Sequence, residues 1–475
     1  MADFRLIADR IAGDIVAGRL RPGQQLPPQR WFARRHRIAP STAGRVYGEL
    51  VRRGLVVGEV GRGTFVRAAP AVAQGRALIE TATSAPVNLE LNYPSAAGQS
   101  ELVAASLAPL LRADVLTEAM RPGAADGTAA ARESAARLLA VPGWRPDPAQ
   151  LLFTGNARQA IAAALASLVR PGGRVGVEEL TYPLVKEIAG RLGVVLVPLA
   201  GDAEGVRPDV LAAVHRAAPL SALYLQPTLH NPTSSTMSER RRGELGHLVL
   251  ALGLPVVEDR IWSFLRPDAA AFAAHAPELT HVVDGLSKRV APGLTVGFLV
   301  VPQGRAEAVG AAVRSGGWSA GRFALEAAVR WTEDGVVRRL VEEKRADAAR
   351  RQAVLTEHLT AHRTENVTEN VTENVTARLT EHLGERCAVG TVRTDPCAYF
   401  AWWELPAPWR ADTFTAEAAA HGIAVTPGTA FAVDPHRTPD AVRLGLASAP
   451  REELARALRT LAAVAAGGPP GSTGG

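Results

Sequence analysis

Lysine, cysteine and long apolar runs are all scarce in this chain of 475 residues. Its 53 basic residues include only three lysines, Lys186, Lys288 and Lys344. Its two cysteines, Cys387 and Cys397, are too few for a disulfide framework. No apolar run approaches the roughly 20 residues that cross a bilayer, and the N-terminus lacks the apolar stretch of a signal peptide. We therefore expect a cytoplasmic protein.

The basic charge is concentrated at the N-terminus. Residues 1–67 contain 13 arginines, no lysine and 5 acidic residues, a net charge of +8, whereas the whole chain carries +6. A biased genome would explain the ratio of arginine to lysine but not this segregation. A basic module attached to a nearly neutral body is the charge distribution expected of a nucleic-acid-binding head.

Three short helices are predicted in this basic segment. Apolar residues recur at three- and four-residue spacing over residues 4–18, which is typical of an amphipathic helix. A second helix is predicted to begin near Pro28, and a third after Pro40, with Ser41 and Thr42 providing its N-cap.

Two short strands, at 55–57 and 64–66, complete the pattern of a winged helix-turn-helix. The third helix would then enter the major groove of DNA. There Arg45 is placed to read bases and the hydroxyl of Ser41 or Thr42 to hold phosphate. The alternative is a small helical module for protein interaction, which the charge excess disfavours.

Two stretches of this head indicate which type of winged helix-turn-helix it is. They are G-R-L-R-P-G-Q-Q-L-P-P-Q-R at 18–30 and G-L-V-V-G-E-V-G-R-G-T-F-V at 54–66. Together they resemble the signature of GntR-type regulators. The resemblance implies DNA contacts at Arg30, Thr42, Arg45 and Arg62.

The rest of the chain predicts an α/β body. A chain of this length exceeds one ordinary core, so we expect separate domains. We place the winged helix-turn-helix at 1–67, an Ala-rich linker at 68–86, the body at 87–465 and a disordered Gly/Pro/Ser-rich tail at 466–475. Three Thr-Glu-Asn-Val repeats at 364–376 are interpreted as a duplication that extends a surface helix.

Within the body, short apolar runs alternate with segments of helical length, which favours a largely parallel sheet covered by helices. Beyond about residue 320 the pattern becomes helical and then mixed, which indicates a smaller C-terminal subdomain. The predicted strands are 151–154, 174–177, 194–197, 223–226, 256–258 and 281–283.

Polar residues that could act together follow these strands. Lys288 comes directly after an apolar strand, where desolvation would lower its pKa and favour a Schiff base. Asp259 ends another strand, where a carboxylate could pair with a pyridinium nitrogen. Asn231 and Tyr182 follow two further strands, and a helix opening at 155–156 offers free N–H groups to a phosphate. Ligands of α/β sheets bind at this edge.

These residues resemble the sites of fold-type I pyridoxal-phosphate enzymes, and most of all the aminotransferase-like body of MocR/GabR regulators. The resemblance runs from about 87 to 465 and rests on S-K-x-x-A-P-G-L at 287–294, N-P-T at 231–233 and E-D at 258–259. It implies pyridoxal phosphate bound as an aldimine to Lys288, with Asp259 on the ring nitrogen, and a homodimer. The implied cofactor residues are Lys288, Asp259, Asn231, Tyr182, Gly155, Asn156, Ser287 and Arg289. Arg443 is implied to clamp the carboxylate of an effector.

Some positions depart from the family pattern. Thr295 stands where the family usually has a phosphate-binding arginine, and Gly285 where it often has serine. Ile261 and Trp262 replace an aromatic hydroxyl after the ring-pairing aspartate, and Ser234 replaces a glycine. The phosphate site therefore has fewer side-chain ligands than is usual in the family, unless Arg289 or the helix start at 155–156 compensates.

Three functions remain open at this point. The first is a DNA-binding transcription regulator that senses an amino acid or amine by aldimine exchange at Lys288 and re-spaces two heads on its operator. The second is an aminotransferase with an accessory DNA-binding domain. Residual transaminase activity is also compatible with the regulator. The third is a DNA-binding regulator whose cofactor-free body only dimerises.

Overall fold

The computed structural model describes residues 4–16, 19–20, 23–52, 55–59, 63–66, 85–360, 385–387, 390–434 and 437–469. Outside these ranges lie Arg62, the repeats at 364–376, nearly all of the predicted linker and residues 470–475 of the predicted tail. No helix in the described ranges is both long and apolar enough to cross a membrane.

The N-terminal segment is a winged helix-turn-helix, as predicted. Its elements are α1 (Phe4–Val16), β1 (Gln25–Leu26), α2 (Gln29–His36), α3 (Pro40–Arg52), β2 (Val56–Glu59) and β3 (Gly63–Val66). The three strands form an antiparallel sheet in the order β1-β3-β2. The helices pack on it through fully buried side chains such as Ala8, Val46 and Leu50.

Two details of this segment differ from the sequence prediction. Strand β1 was not predicted, because two residues carry no periodicity. Helix α3 begins at Pro40, so Ser41 and Thr42 lie in its first turn and are not its N-cap. Proline suits the first helical position because the N–H group that it lacks would have no partner there.

The body is an α/β structure with a second, antiparallel sheet near the C-terminus. Its helices are α4 (Gln99–Leu107), α5 (Ala113–Ala119), α6 (Ala129–Leu139), α7 (Ala157–Leu168), α8 (Pro183–Leu192), α9 (Pro208–Ala217), α10 (Glu239–Leu252), α11 (Leu286–Arg289), α12 (Ala306–Ser315), α13 (Arg322–Glu333), α14 (Val336–Leu355), α15 (Ala411–Ala420) and α16 (Arg451–Gly467). Its strands are β4 (Val87–Asn88), β5 (Leu151–Thr154), β6 (Arg174–Glu178), β7 (Val195–Leu199), β8 (Gly201–Asp202), β9 (Gly205–Val206), β10 (Ala222–Leu225), β11 (Val256–Asp259), β12 (Thr280–Gly285), β13 (Gly297–Val300), β14 (Glu385–Cys387), β15 (Gly390–Thr394), β16 (Phe400–Glu404), β17 (Ile423–Ala424), β18 (Thr426–Pro427) and β19 (Ala441–Gly445).

The main sheet has seven strands in the order β5-β13-β12-β11-β10-β6-β7. All six predicted strands are present within two residues of their predicted ends. Four neighbouring pairs are parallel, and the two pairs that involve β13 are antiparallel. Helix α7 covers one face and α10 the other, so β10, β11 and β12 are buried along their whole length. The carboxyl ends of the parallel strands therefore meet at one edge.

The C-terminal sheet is antiparallel, in the order β14-β15-β16-β19-β18. It packs on α16 through a second apolar core that includes Trp403 and Phe414. Strand β4, at the start of the body, pairs with β17 at its far end. This pairing brings residues just after β4 next to β19, and both segments reach the site described next.

Candidate functional site

Polar side chains from both sheets line one cavity at the carboxyl edge of the main sheet. Seven predicted site residues line it: Asn156, Tyr182, Asn231, Asp259, Ser287, Lys288 and Arg443. Six of them follow or end strands of the main sheet, and Arg443 comes from β19. The order of strands thus assembles residues that are far apart in sequence.

Lys288 lies in α11, directly after β12. Its Nζ donates to the backbone oxygen of Asn92 at 2.7 Å and lies 4.4 Å and 4.9 Å from the ring centres of Tyr93 and Trp262. Burial is the main cause that lowers the pKa of Lys288 to about 7, and the nearby cations, Arg443 first, lower it further. A lysine with this pKa holds a large share of nucleophilic neutral amine near neutral pH.

The turn that carries Lys288 is held by a second buried lysine. Lys344, on α14, donates from Nζ to the backbone oxygens of Lys288, Arg289 and Val290 at 3.1, 3.0 and 2.7 Å. These are carbonyls at the end of α11, where a cation also stabilises the helix dipole. Burial lowers the pKa of Lys344 to about 7.

Asp259 is fully buried at the end of β11. One carboxylate oxygen accepts from the hydroxyl of Tyr224 at 2.7 Å, and the other accepts from the N–H of Ile261 at 3.0 Å. Burial raises the pKa of Asp259 to about 6, against the lowering effect of these two bonds. The carboxylate is fixed in orientation, and a bound cation would be needed to favour its charged form fully.

Asn231 and Tyr182 occupy the same cavity. The backbone N–H of Asn231 donates to Oε1 of Gln226 at 2.8 Å. Its side-chain oxygen Oδ1 is buried, and no other described residue donates to it. Tyr182 precedes α8, and burial raises the pKa of its hydroxyl. The asparagine therefore presents an unsatisfied polar group where a ligand could meet it.

The start of α7 contributes differently from the prediction. Asn156 is its N-cap, and its Oδ1 accepts from the N–H of Gln159 at 3.1 Å. The N–H of Gly155 donates to the backbone oxygen of Trp318 at 3.1 Å, so Gly155 does not offer a free group. Arg158, in the first turn, lines the cavity and makes no hydrogen bond or ion pair to any other described residue. A helix start with an unpaired guanidinium favours an anion.

Arg443 enters the cavity from β19. Its Nη2 donates to the backbone oxygen of Glu90 and, at 3.1 Å, to Oγ1 of Thr426, while its Nε is buried without a partner in the described chain. Burial lowers the pKa of Arg443 to about 10, so it stays charged at neutral pH. It retains donor capacity for a carboxylate.

Arg289 does not belong to this site, which corrects the sequence prediction. It forms a buried ion pair with Asp284, with Nη2 to Oδ2 at 2.9 Å, and it faces a different cavity. Ser287 does line the site, and its Oγ lies 2.8 Å from Oγ1 of Thr295. At position 285 a Cβ atom would lie 2.9 Å from the backbone oxygen of Val296, which explains the glycine there.

Sequence reasoning missed several residues of the cavity. Arg158 had a usable signal, since it lies in the first turn of a helix that follows a buried strand. Tyr224 does not line the cavity but donates to Asp259 from inside β10, where the sequence pattern predicts a core residue. Glu90, Asn92 and Tyr93 come from an irregular segment that carries no motif. The pairing of β4 with β17 and hydrogen bonds to residues of and after β19 place this segment at the cavity.

In the N-terminal segment, the side chains of Arg30, Ser41 and Arg45 are exposed and Thr42 is partly exposed. Ser41, Thr42 and Arg45 share α3, which the fold places as the second helix of the helix-turn-helix. Arg62 lies outside the described residues. The exposed arginines carry the excess charge that a phosphate backbone attracts.

Similarity to known proteins follows the division between head and body. Residues 5–66 match the bacterial regulatory proteins of the gntR family. The chain is 28% identical to the uncharacterized HTH-type transcriptional regulator YdeF of Bacillus subtilis (strain 168), over 75% of this chain and 77% of YdeF. It is 23% identical to the HTH-type pyridoxine biosynthesis transcriptional regulator PdxR of Corynebacterium glutamicum, over 74% of this chain and 78% of PdxR.

Solved aminotransferase structures share the fold of the body. LysN, an alpha-aminoadipate aminotransferase from Thermus thermophilus complexed with N-(5'-phosphopyridoxyl)-L-leucine, matches with a TM-score of 0.67 at 21% identity, over 80% of this chain and 92% of LysN. An archaeal alanine:glyoxylate aminotransferase matches with a TM-score of 0.67 at 19% identity, over 81% of this chain and 91% of that protein.

The body thus has the fold-type I aminotransferase-like architecture, with its cavity at the expected edge of the sheet. A gntR-family head therefore precedes an aminotransferase-like body in this chain, which is the MocR-type architecture. The head implies DNA binding.

Proposed function

We propose that this chain is a transcription regulator that holds pyridoxal phosphate covalently through Lys288 and senses an amino acid or amine at the same cavity. We assign DNA binding to residues 1–67 and sensing to residues 87–465. The observation that carries the proposal is the convergence of Lys288, Asp259 and Asn231 on one cavity, with the lysine pKa lowered to about 7.

The residues of the cavity fit this cofactor. Buried polar atoms with no partner in the described chain point to a polar ligand, and they include Oδ1 of Asn231 and Nε of Arg443. Asp259 would hold the protonated ring nitrogen, and Tyr224 would keep its carboxylate oriented. The structural relative LysN was solved with a phosphopyridoxyl amino acid, which supports the same class of ligand.

The remaining residues would hold the ring and the phosphate. Tyr182 offers an aromatic face to the ring, and Asn231 a hydrogen bond to its hydroxyl. At the phosphate, three groups would take the place of the arginine that the family usually has at the position of Thr295. They are the start of α7, Arg158 and the hydroxyl of Ser287. The guanidinium of Arg158 and the positive end of the α7 dipole would both favour a phosphate dianion there.

In sensing, the amine of an effector would compete with the amine of Lys288 for the same position on the cofactor. When bound, pyridoxal phosphate supplies an aldehyde carbon that a primary amine can hold covalently. The amine of an effector would replace that of Lys288, which leaves as a free amine, while Arg443 holds a carboxylate of the effector. This exchange would favour one conformation of the body and change the spacing of two DNA-binding heads in a homodimer.

Arg443→Ala tests the sensing part. We expect amino acids to shift the absorbance of the bound cofactor in the wild type, and the variant to bind them roughly 10- to 100-fold more weakly because a buried charged hydrogen bond is lost. A simple amine such as butylamine should bind both proteins equally. The measurement is a spectroscopic titration, with thermal unfolding as a check on folding.

Arg393→Ala is the matched control, because Arg393 lies on β15 of the same sheet and is half exposed in an ion pair with Glu404. It should titrate like the wild type. A wild-type protein that holds the cofactor but responds to no amine would overturn the sensing role, and fast multiple turnover would instead make it an aminotransferase.

Arg45→Ala tests the DNA-binding part. We expect affinity for a DNA sequence selected by the wild type from a random pool to fall roughly 10- to 100-fold, because Arg45 is exposed on the recognition helix. Arg19→Ala serves as the control, since Arg19 is exposed in the same head but paired with Asp14. Fluorescence anisotropy at fixed salt measures both. Equal affinities of the two variants would remove Arg45 from the interface.

A further inference from the structure

A carboxylate that the sensing mechanism does not use lines the same cavity. Glu90 follows β4, and its backbone oxygen accepts a hydrogen bond from Arg443, so the two residues are neighbours. Lys288 is anchored to the backbone of Asn92, two residues further along. The segment 90–93 therefore holds the amine of Lys288 through its backbone and brings an acidic group close enough to Arg443 to interact with its charge.

The Glu90 carboxylate is not satisfied by the protein. Its Oε2 is buried without a hydrogen-bond partner among the described residues. Within that part of the chain, no ion pair joins the Glu90 carboxylate to Arg443. The guanidinium instead donates from Nη2 to two other oxygens, Oγ1 of Thr426 and the backbone oxygen of Glu90. Burial raises the pKa of Glu90 and the charge of Arg443 lowers it again. A buried acceptor of this kind calls for a donor from a ligand.

The two neighbouring charges restrict which ligand fits. An amino acid with an apolar side chain would place a carboxylate at Arg443 but leave Oε2 of Glu90 buried and unpaired. A dicarboxylic amino acid would add a like charge beside Glu90. An amino acid whose side chain ends in an ammonium group satisfies both residues, because its carboxylate meets Arg443 and its ammonium group donates to Oε2 of Glu90, which has no donor among the described residues.

From this arrangement, we propose that the effector is an amino acid with a second amine on its side chain, and that Glu90 selects it. The proposal rests on the proposed sensing function. The first amine of the effector meets the site of Lys288, its carboxylate meets Arg443, and its second amine pairs with Glu90. Glu90 is thus a specificity-determining residue of the sensor.

Matched pairs of ligands test this assignment on the intact protein loaded with cofactor. L-ornithine and L-norvaline differ only in the terminal amine, as do L-lysine and L-norleucine. We expect the diamino member of at least one pair to bind roughly 10- to 100-fold more tightly than its apolar partner in a spectroscopic titration. Putrescine, which lacks the carboxylate, should bind more weakly than ornithine.

Glu90→Gln removes the charge at constant size and provides the second measurement. In this variant the preference within each pair should fall to about one, because the terminal amine no longer meets a charged carboxylate. Thermal unfolding verifies that the variant is folded. The ligand preference of the wild type is measured without any variant, so it tests the proposal even if Glu90→Gln does not fold.

The possible failures are separable. If all of these amino acids shift the cofactor spectrum with equal affinity, the assignment of Glu90 is overturned and the sensing function stands. If putrescine binds as tightly as ornithine, the ligand is a diamine and the amino-acid class is wrong. If the loaded protein responds to no amine at all, the sensing function itself fails.

Discussion

Lys288→Ala will abolish covalent capture of pyridoxal phosphate and, with it, every spectral response to amines. The cavity contains one lysine side chain, and its Nζ is held beside Tyr93 and Trp262. The other two lysines are committed elsewhere, Lys344 to three carbonyls of α11 and Lys186 to the backbone oxygens of Ala430 and Ala432. No other lysine side chain can therefore substitute for Lys288.

Two measurements make this result specific. Lys288→Arg keeps a cation of similar length that cannot bond to the cofactor, so it should also fail to capture while remaining folded. In the wild type, borohydride reduction followed by peptide mass spectrometry should place the cofactor on Lys288. Capture by Lys288→Arg, or label on another residue, would contradict the assignment.

The pH dependence of capture follows from the lowered pKa of Lys288, which is about 7. Only the neutral amine attacks an aldehyde, and its fraction rises as the pH passes through the pKa. The rate of capture by the cofactor-free protein should therefore rise between about pH 6 and pH 8 and then level off. An ordinary lysine, with a pKa near 10.4, would keep gaining rate well above pH 9.

Arg289→Met will destabilise the fold by about 3–5 kcal/mol, because it leaves Asp284 charged and unpaired in the core. The side chains of Arg289 and Asp284 are 6% and 1% exposed. Urea unfolding measures the loss, which is a large share of the roughly 5–15 kcal/mol that stabilises a domain. The folded variant should still bind the cofactor, since Arg289 lies outside the cavity.

The double variant Asp284→Asn with Arg289→Met separates a structural ion pair from a cofactor contact. Removing both charges should restore part of the stability that the single variant loses, because no buried charge remains without its partner. A single variant that unfolds normally but binds the cofactor tenfold more weakly would return Arg289 to the phosphate site.

Much of this fold could be predicted because its central strands are buried on both faces. Continuous apolar runs mark six strands of the main sheet, and parallel strands place whatever follows them at one edge. That rule alone predicts that Lys288, Asp259 and Asn231 lie close together. Strand β13 was missed, since it is a short apolar run after a loop with no distinct periodicity.

The errors concern contacts that spacing cannot determine. Arg289 follows Lys288 in sequence, yet on a single helical turn adjacent side chains point in different directions, and Asp284 offers it a closer partner. Glu90 carries no motif in the sequence, and Arg158 is marked only by its place in the first turn of a helix after a buried strand. The pairing of β4 with β17 and the placement of α7 show that they face the same cavity as Lys288.

The scarcity of lysine has a practical consequence. Lys186 and Lys344 each donate to backbone carbonyls, and Lys288 opens into the cavity. Reagents that acylate surface amines will find almost no lysine side chain to modify, so Lys288 should dominate the lysine labelling of the folded protein. Because an effector would release the amine of Lys288 from the cofactor, binding of the effector should increase labelling of this one side chain, which would report occupancy without knowledge of the operator.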